Sequence, residues 1–213
     1  MTKRFYSIII VFLLGTHLYA ITPIKERPVL NIQTTKGDIV IRLLPDEAPI
    51  TCKNFMSYVS NGFYNKTIVH RIIDGFIIQA GGFDTNYKEK KHKNPIINES
   101  RTSPSNLNGT VAMALTTDKN SAASQFFFNL ADNTDLDYTT AKNRGYTVFA
   151  EVIEGHKTLN RIQKIRTKRI NIYSERHKRN VPLYNFPETD VVIKKIIILR
   201  NKLSTKTLSK STK

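Results

Sequence analysis

The stretch VHRIIDGFIIQAGG, Val69 to Gly82, decides how the rest of the chain is read. β-Branched residues fill Val69–Ile73, Asp74-Gly75 marks a tight turn, and Phe76–Gln79 is apolar again before the pair Gly81-Gly82. The pattern predicts strand, turn, strand. A period of two groups Ile68, His70 and Ile72 on one face of the first strand and Val69, Arg71 and Ile73 on the other. On the second strand Gln79 shares its face with Ile77. An arginine in so apolar a run is expensive to bury alone. It either opens onto a binding face or meets a carboxylate elsewhere, and this stretch by itself fits both. The glycine pair permits close backbone approach or positive φ.

Outward from that hairpin, VLNIQTTKGDIVIRLLP (Val29–Pro45) holds two alternating runs around Thr35–Asp38, an antiparallel hairpin. Asp46 is placed to cap the following helix, with Pro49 early in it. Ile50, Cys52, Phe55, Met56 and Val59 form its apolar stripe, and Gly62 ends it. Asp84–Ser105 reads as a long polar loop, a length that often marks function. In GTVAMALTTD (Gly109–Asp118), alternation pairs Ala112 with Ala114 and Met113 with Leu115. In SAASQFFFNL (Ser121–Leu130), it puts Gln125 and Phe127 on one face and Phe126 and Phe128 on the other. Three consecutive phenylalanines taken alone are more often core than site. Val148–Val152 is a further strand, HKTLNRIQKI after Gly155 a second amphipathic helix, and, after a basic loop and a proline-containing segment, Asp190–Arg200 the closing strand.

The chain of 213 residues is long enough for one domain with accessories, and 40% hydrophobic residues with 11 Phe and 9 Tyr suffice for a core. Its formal charge is +16 and uneven. Arg161–Asn180 carries eight Lys/Arg against one Glu, and residues 201–213 add four lysines and no acid. Such a balance suits nucleic acid, anionic membrane or acidic clients, or simply a solvated basic face. No interleaving of aromatic and basic residues and no phosphate-cradling glycine loop is evident, so no nucleic acid partner is expected. At the N-terminus, Lys3-Arg4, the apolar run Phe5–Leu14 and a small residue at Ala20 read as a signal peptide over residues 1–20. An uncleaved anchor is the alternative, although the run is shorter than the ~20 residues that span a bilayer. Residues 21–28 form a linker, 29–200 the domain, and 201–213 a basic disordered tail. With Cys52 as its single cysteine, the chain has no internal disulfide and no cysteine-based metal site.

The motifs around His70-Arg71, Gly75-Phe76, Gln79 and the glycine pair, followed by Ser-Gln-Phe-Phe at 124–127, resemble those of the cyclophilin family of peptidyl-prolyl isomerases, in the family's order. The likeness extends over about Val29–Arg200 and is nearest to exported bacterial members. It implies a mainly β fold, an eight-stranded antiparallel closed barrel capped by two α-helices, its lumen filled by side chains. It implies peptidyl-prolyl cis–trans isomerase activity on exported proteins as they fold, in the periplasm or outside the cell. A proline-peptide binding module or chaperone with little turnover is the alternative. Arg71 weighs against it, since binding alone needs no cation over the prolyl nitrogen.

By the same resemblance Arg71 is the catalytic donor. Phe76, Ile77, Phe127 and Leu136 form a proline pocket that Tyr146 closes on one side. Gln79 orients Arg71 or binds substrate backbone with Gln125 beside it, and Ala114 and the backbone at Leu115 meet residues before the proline. No cofactor or metal is implied. The partners implied are proline-containing peptides or unfolded chains, acted on by a monomer with no stable membrane insertion after signal cleavage. Three positions depart from the family pattern. Ile77 stands for the usual methionine, Tyr146 for a frequent histidine, and Asp135 where relatives carry an aromatic residue that supports cyclosporin, so weak or no cyclosporin binding is expected.

Overall fold

A computed structural model describes residues 27–116, 118, 120–140, 145–174 and 178–199. The expected signal segment and C-terminal tail lie outside the described residues. The strands β1 (Val29–Thr34), β2 (Gly37–Leu43), β3 (Thr67–Ile73), β4 (Ile77–Asp84), β5 (Thr110–Met113), β6 (Phe126–Asn129), β7 (Val148–Glu154) and β10 (Val192–Leu199) form a closed antiparallel barrel. Their order around it is β1-β10-β3-β4-β6-β5-β7-β2. Helices α1 (Pro49–Ser60) and α2 (His156–Gln163) and a short 3-10 turn (Thr134–Leu136) complete the frame. This is the eight-stranded barrel with two helices that the resemblance implied.

Alternation fills the lumen. Ile32, Ile39, Ile41, Ile78, Phe126 and Phe128 all turn into one buried cluster. Phe55 of α1 joins it with its ring 5.1 Å from Tyr64, 5.4 Å from Phe126 and 4.9 Å from Phe149. Tyr64, fully buried, satisfies its hydroxyl by donating to the Ser124 carbonyl at 2.8 Å. Cys52 is buried as a small apolar filler, and burial pushes its thiol up to about 12, so it stays protonated.

Four expectations need correction. Asp46 does not cap α1. The N-cap is Ala48, and the orphan donors of the first turn go to Glu99, whose carboxylate accepts from Ile50 N (3.0 Å), Thr51 N (2.8 Å) and Thr51 Oγ1 (2.7 Å). Ile50 is 43% exposed, and Thr51 and Tyr58 are buried in the helix's inner stripe instead. The strict period of two in β3 fails at a bulge. Val69 pairs with Ala80 and Arg71 with Gln79, so His70 is the extra residue. Val69 and Ile72 therefore both point into the lumen, while Ile68 joins an outer cluster. Last, the stretch between α2 and the closing strand is not simply a loop. β8 (Thr167–Ser174) and β9 (Arg179–Pro187) make a separate two-stranded sheet.

At the start of the described chain, Arg27 pairs with Glu47 at 2.5 Å and the Pro28 carbonyl accepts from Leu43 N at 2.8 Å. Glu99 is the more consequential carboxylate, because it ties the long loop to α1. Glu99→Ala should destabilise the fold by roughly 1–3 kcal/mol, the range for orphaning donors of charge-assisted hydrogen bonds. Urea unfolding of the two proteins measures it, and an unchanged midpoint would contradict the capping role.

Candidate active site

The side chains that the lumen cannot hold collect on the outer wall. Register places Gln79 opposite Phe127, and Phe127 opposite Ala112, so β4, β6 and β5 present neighbouring outward residues. A second apolar cluster forms there from Leu44, Ile77, Ala112, Phe127 and Val148. Phe76, Ala114, Leu136 and Tyr146 pack on it, half-buried. Phe127 is its floor, with the Tyr146 ring edge-on at 5.4 Å and 81°. The shape is an apolar bowl whose rim reaches solvent.

Buried asparagines fix the rim, which lies outside the strands and α-helices and includes the one-turn 3-10 helix Thr134–Leu136. Asn106 Nδ2 donates to the carbonyls of Leu136 and Tyr146, both at 3.2 Å, and Tyr146 N donates to Leu136 O at 2.8 Å. Asn133 Nδ2 holds the Phe76 carbonyl at 3.0 Å and Asn129 Oδ1 at 2.8 Å. Asp137 is raised by partial burial, but hydrogen bonds from Ser105 Oγ and from both Asn106 nitrogens outweigh this and leave its carboxyl below the usual range. Gly145 runs so close that an added Cβ would lie 2.4 Å from the Asp137 carbonyl carbon.

Beside the bowl runs a polar relay. Arg71 Nη1 donates to Gln79 Oε1 at 3.4 Å, and Gln79 Nε2 donates to Gln125 Oε1 at 2.8 Å. Gly82 makes room for it, since a Cβ there would meet the Gln125 amide at 2.5 Å. Among the described residues no carboxylate forms an ion pair with Arg71. The guanidinium is half-buried, and its hydrogen-bond partner among the described residues is a neutral amide. A second hollow of about 630 Å³ adjoins Gln125, lined also by Ala114, Leu115, Thr116, Lys90 and Lys91.

Of the residues singled out in the sequence, Phe76, Ile77, Ala114, Phe127, Leu136 and Tyr146 thus meet in the bowl, and Arg71, Gln79 and Gln125 in the relay. Leu115 stands apart: its side chain packs against the barrel core while the residue lines the second hollow. Leu44, Ala112 and Val148 belong to the bowl floor and were missed, as were Asn106, Asn129 and Asn133. Alternation from Ala114 could have supplied Ala112. Nothing in the sequence marks loop asparagines as rim supports.

The comparisons with known proteins agree with this geometry. A family profile described as "Cyclophilin type peptidyl-prolyl cis-trans isomerase/CLD" matches residues 29–188. Peptidyl-prolyl cis-trans isomerase B of Escherichia coli K12 is 40% identical over 171 residues, 79% of this chain and 98% of its own. A peptidyl-prolyl cis-trans isomerase of Acinetobacter baylyi is 40% identical over 196 residues, 92% of this chain and 98% of its own. A crystal structure of a cyclophilin-type isomerase from Cryptosporidium parvum superposes with a TM-score of 0.62 at 25% identity, covering 82% of this chain and 99% of that one. The same protein was also crystallised in the presence of the dipeptide Ala-Pro. The chain belongs to the cyclophilin-type peptidyl-prolyl cis–trans isomerase family. It is an enzyme of that class.

His70, next to Arg71, lies against Phe83 with ring centroids 4.8 Å apart. Burial lowers its pKa from 6.5 to about 4, hydrogen bonding at Ile68 and Gln125 opposes the shift, and the Arg71 cation adds to it. The imidazole is therefore neutral wherever the pH exceeds about 5, and Arg71 has no cationic neighbour at His70. Between 4 and 6.5 the unfolded chain binds this proton and the folded chain does not, so stability falls as pH falls through that window. The loss reaches about 3 kcal/mol at the acid end and is absent above 6.5. Urea unfolding of wild type and His70→Asn from pH 7 to 4.5 checks it. The wild type should lose more stability than the variant, and parallel profiles would refute the buried neutral imidazole.

Proposed function

We propose that Arg71 catalyses the rotation, that the bowl grips the proline ring, and that the clients are exported proteins undergoing folding. The observation that carries the catalytic assignment is the guanidinium of Arg71 at the edge of an apolar bowl, without an ion-pair partner among the described residues. A structural arginine in such a run would meet a carboxylate, whereas among the described residues this one hydrogen-bonds Gln79.

Resonance gives the prolyl C–N bond double-bond character and a rotational barrier of ~18–20 kcal/mol. Twisting the bond breaks the resonance, and the nitrogen becomes pyramidal and regains its lone pair. A positioned N–H donor aimed at that lone pair is used only in the twisted state, so it lowers the barrier rather than merely tightening binding. Phe127 as floor, Phe76, Ile77 and Leu136 as walls and Tyr146 as the closing edge hold the ring while the acyl part turns. Gln79 keeps Arg71 aimed. Gln125, Ala114 and the backbone at Leu115 receive the residues before the proline. No bond is made or broken, so the reaction requires neither nucleophile nor cofactor. Asp135, exposed beside Leu136, offers a carboxylate where an apolar macrocycle would need an apolar contact, which supports weak cyclosporin binding.

Export is supported by the sequence of residues 1–20, with its basic start, ten-residue apolar run and terminal Ala20. N-terminal sequencing of the protein recovered from outside the cytoplasm should begin at Ile21. Recovery of the intact Met1 terminus from the cytoplasm would overturn the assignment.

Arg71→Ala should lower kcat/KM for an Ala-Pro peptide by roughly 10²–10³, the loss typical of one transition-state donor, with the fold intact by circular dichroism. Exchange NMR of the cis and trans signals measures it. A folded variant with undiminished exchange would remove Arg71 from the mechanism.

A further inference from the structure

The β8–β9 hairpin has a basic outer surface that the isomerase site does not use. Its inner face is anchored: Ile172 and Phe186 pack with Ile68 of β3 and Phe83 of β4 in a third buried cluster. Lys168, Arg169 and Arg179 are exposed on it, with Arg166 just before it. Among the described residues none of these four cations takes part in an ion pair. Evenly solvated surfaces carry both signs in similar numbers, whereas residues 167–187 hold five Lys/Arg against a single acidic residue, Glu175.

Contacts run from the hairpin to the site without a break. Phe186 meets the Tyr87 ring at 5.2 Å, edge-on, and Tyr87 donates to Asp190 at 3.2 Å. The loop bearing Tyr87 continues through Lys88, Glu89, Lys90 and Lys91, and the last three line the 630 Å³ hollow beside Gln125 and Ala114, together with Asp118. Lys90 Nζ donates to the Phe63 carbonyl, so Lys88 and Lys91 are the exposed lysines that carry the hairpin's positive charge toward that hollow.

We propose that the hairpin is a docking arm for acidic polypeptide segments lying before the proline to be turned over. This rests on the reading that residues before the proline lie along Ala114 and Leu115. Charge complementarity names an anion, and the face of the hairpin chooses among anions. Its exposed large apolar side chains are Tyr173, at 53%, and Tyr184, at 57%. Arg169 already covers the Tyr184 ring at 5.3 Å, so no run of free rings is left to stack successive bases. No exposed Leu, Ile or Phe on it could enter a bilayer. A flexible acidic chain needs neither, only spaced cations.

The test uses fluorescence anisotropy of the purified protein with three labelled peptides built on Ala-Ala-Pro-Phe. One carries about eight acidic residues before it, which reach ~26 Å when extended. One carries the same run after it, and one has Gln and Asn in place of the acids. At about 50 mM salt the first should bind roughly tenfold more tightly than the neutral peptide, as several exposed ion pairs allow. That advantage should vanish near ~0.5 M salt. It should also vanish in the K168E/R169E/R179E variant, whose melting temperature should match the wild type. Equal affinity for acidic and neutral peptides would overturn the arm, as would an advantage that survives charge reversal. Equal gains from acids on either side of the proline would instead overturn the reading of Ala114 and Leu115. Tighter hairpin-dependent binding of a uridine oligonucleotide, or of phosphatidylglycerol vesicles, would replace the polypeptide as partner.

Discussion

An eight-stranded barrel has room inside for packed side chains or for one small ligand, not for both. Here that space is taken by Ile, Val, Leu and Phe, with Phe126 and Phe128 pointing in from β6. Every group with chemistry to offer must therefore face outward, and the outer wall becomes the site by exclusion. The bulge at His70 serves the same constraint. It keeps Val69 and Ile72 in the lumen while His70 and Arg71 both leave it. Without the extra residue, alternation would put Val69 and Ile72 on opposite faces, and Val69 could stay in the lumen only if Arg71 entered it too.

The wall supplies the flat part of the bowl, but a pocket also needs sides. These come from segments outside the strands and α-helices, where orphan backbone groups would normally demand water. Asn106 and Asn133, both buried and both bonded to the Asn129 side chain, satisfy those groups from within and set Phe76, Leu136 and Tyr146 at fixed positions. Glu99 does the same for α1 across 48 residues of sequence, and the adjoining Asn98 donates to Gly145 O at 3.0 Å. The long loop is thus a set of brackets around the site.

What could be read in the sequence follows from what periodicity encodes. Strands that alternate and helices with one apolar stripe declare themselves, so most elements along the chain, and the grouping of Gln79 with Ile77 and of Gln125 with Phe127, were legible from residue spacing, while the closed barrel was implied only by the resemblance. A bulge is a single inserted residue with no composition of its own, and His70 looked like any other strand position. Glu99 caps a helix start far away in the chain, and no local pattern can show that Asp46 is bypassed. The hairpin β8–β9 was hidden by its charge. TKRINIYS and NVPLYNF do alternate, but Lys168, Arg169 and Arg179 made the stretch look like a solvated loop. Its inner residues Ile172 and Phe186 carried the signal. The rotation chemistry was legible only through the resemblance, because no residue spacing distinguishes an arginine that is aimed from one that is merely paired.

That distinction has a physical basis. A carboxylate beside Arg71 would neutralise the charge and occupy two donors in a fork. It would orient the guanidinium at the expense of its field. Gln79 orients without neutralising, and at 3.4 Å the contact is long enough to yield to a better acceptor. Gln125 in turn fixes Gln79 at 2.8 Å, so the amide cannot simply rotate away. His70, kept neutral by burial, adds no competing charge. The guanidinium thus stands half out of water, with no carboxylate paired to it among the described residues and its direction set. On the proposed mechanism, a transient lone pair on the prolyl nitrogen would meet that charge only while the bond is twisted.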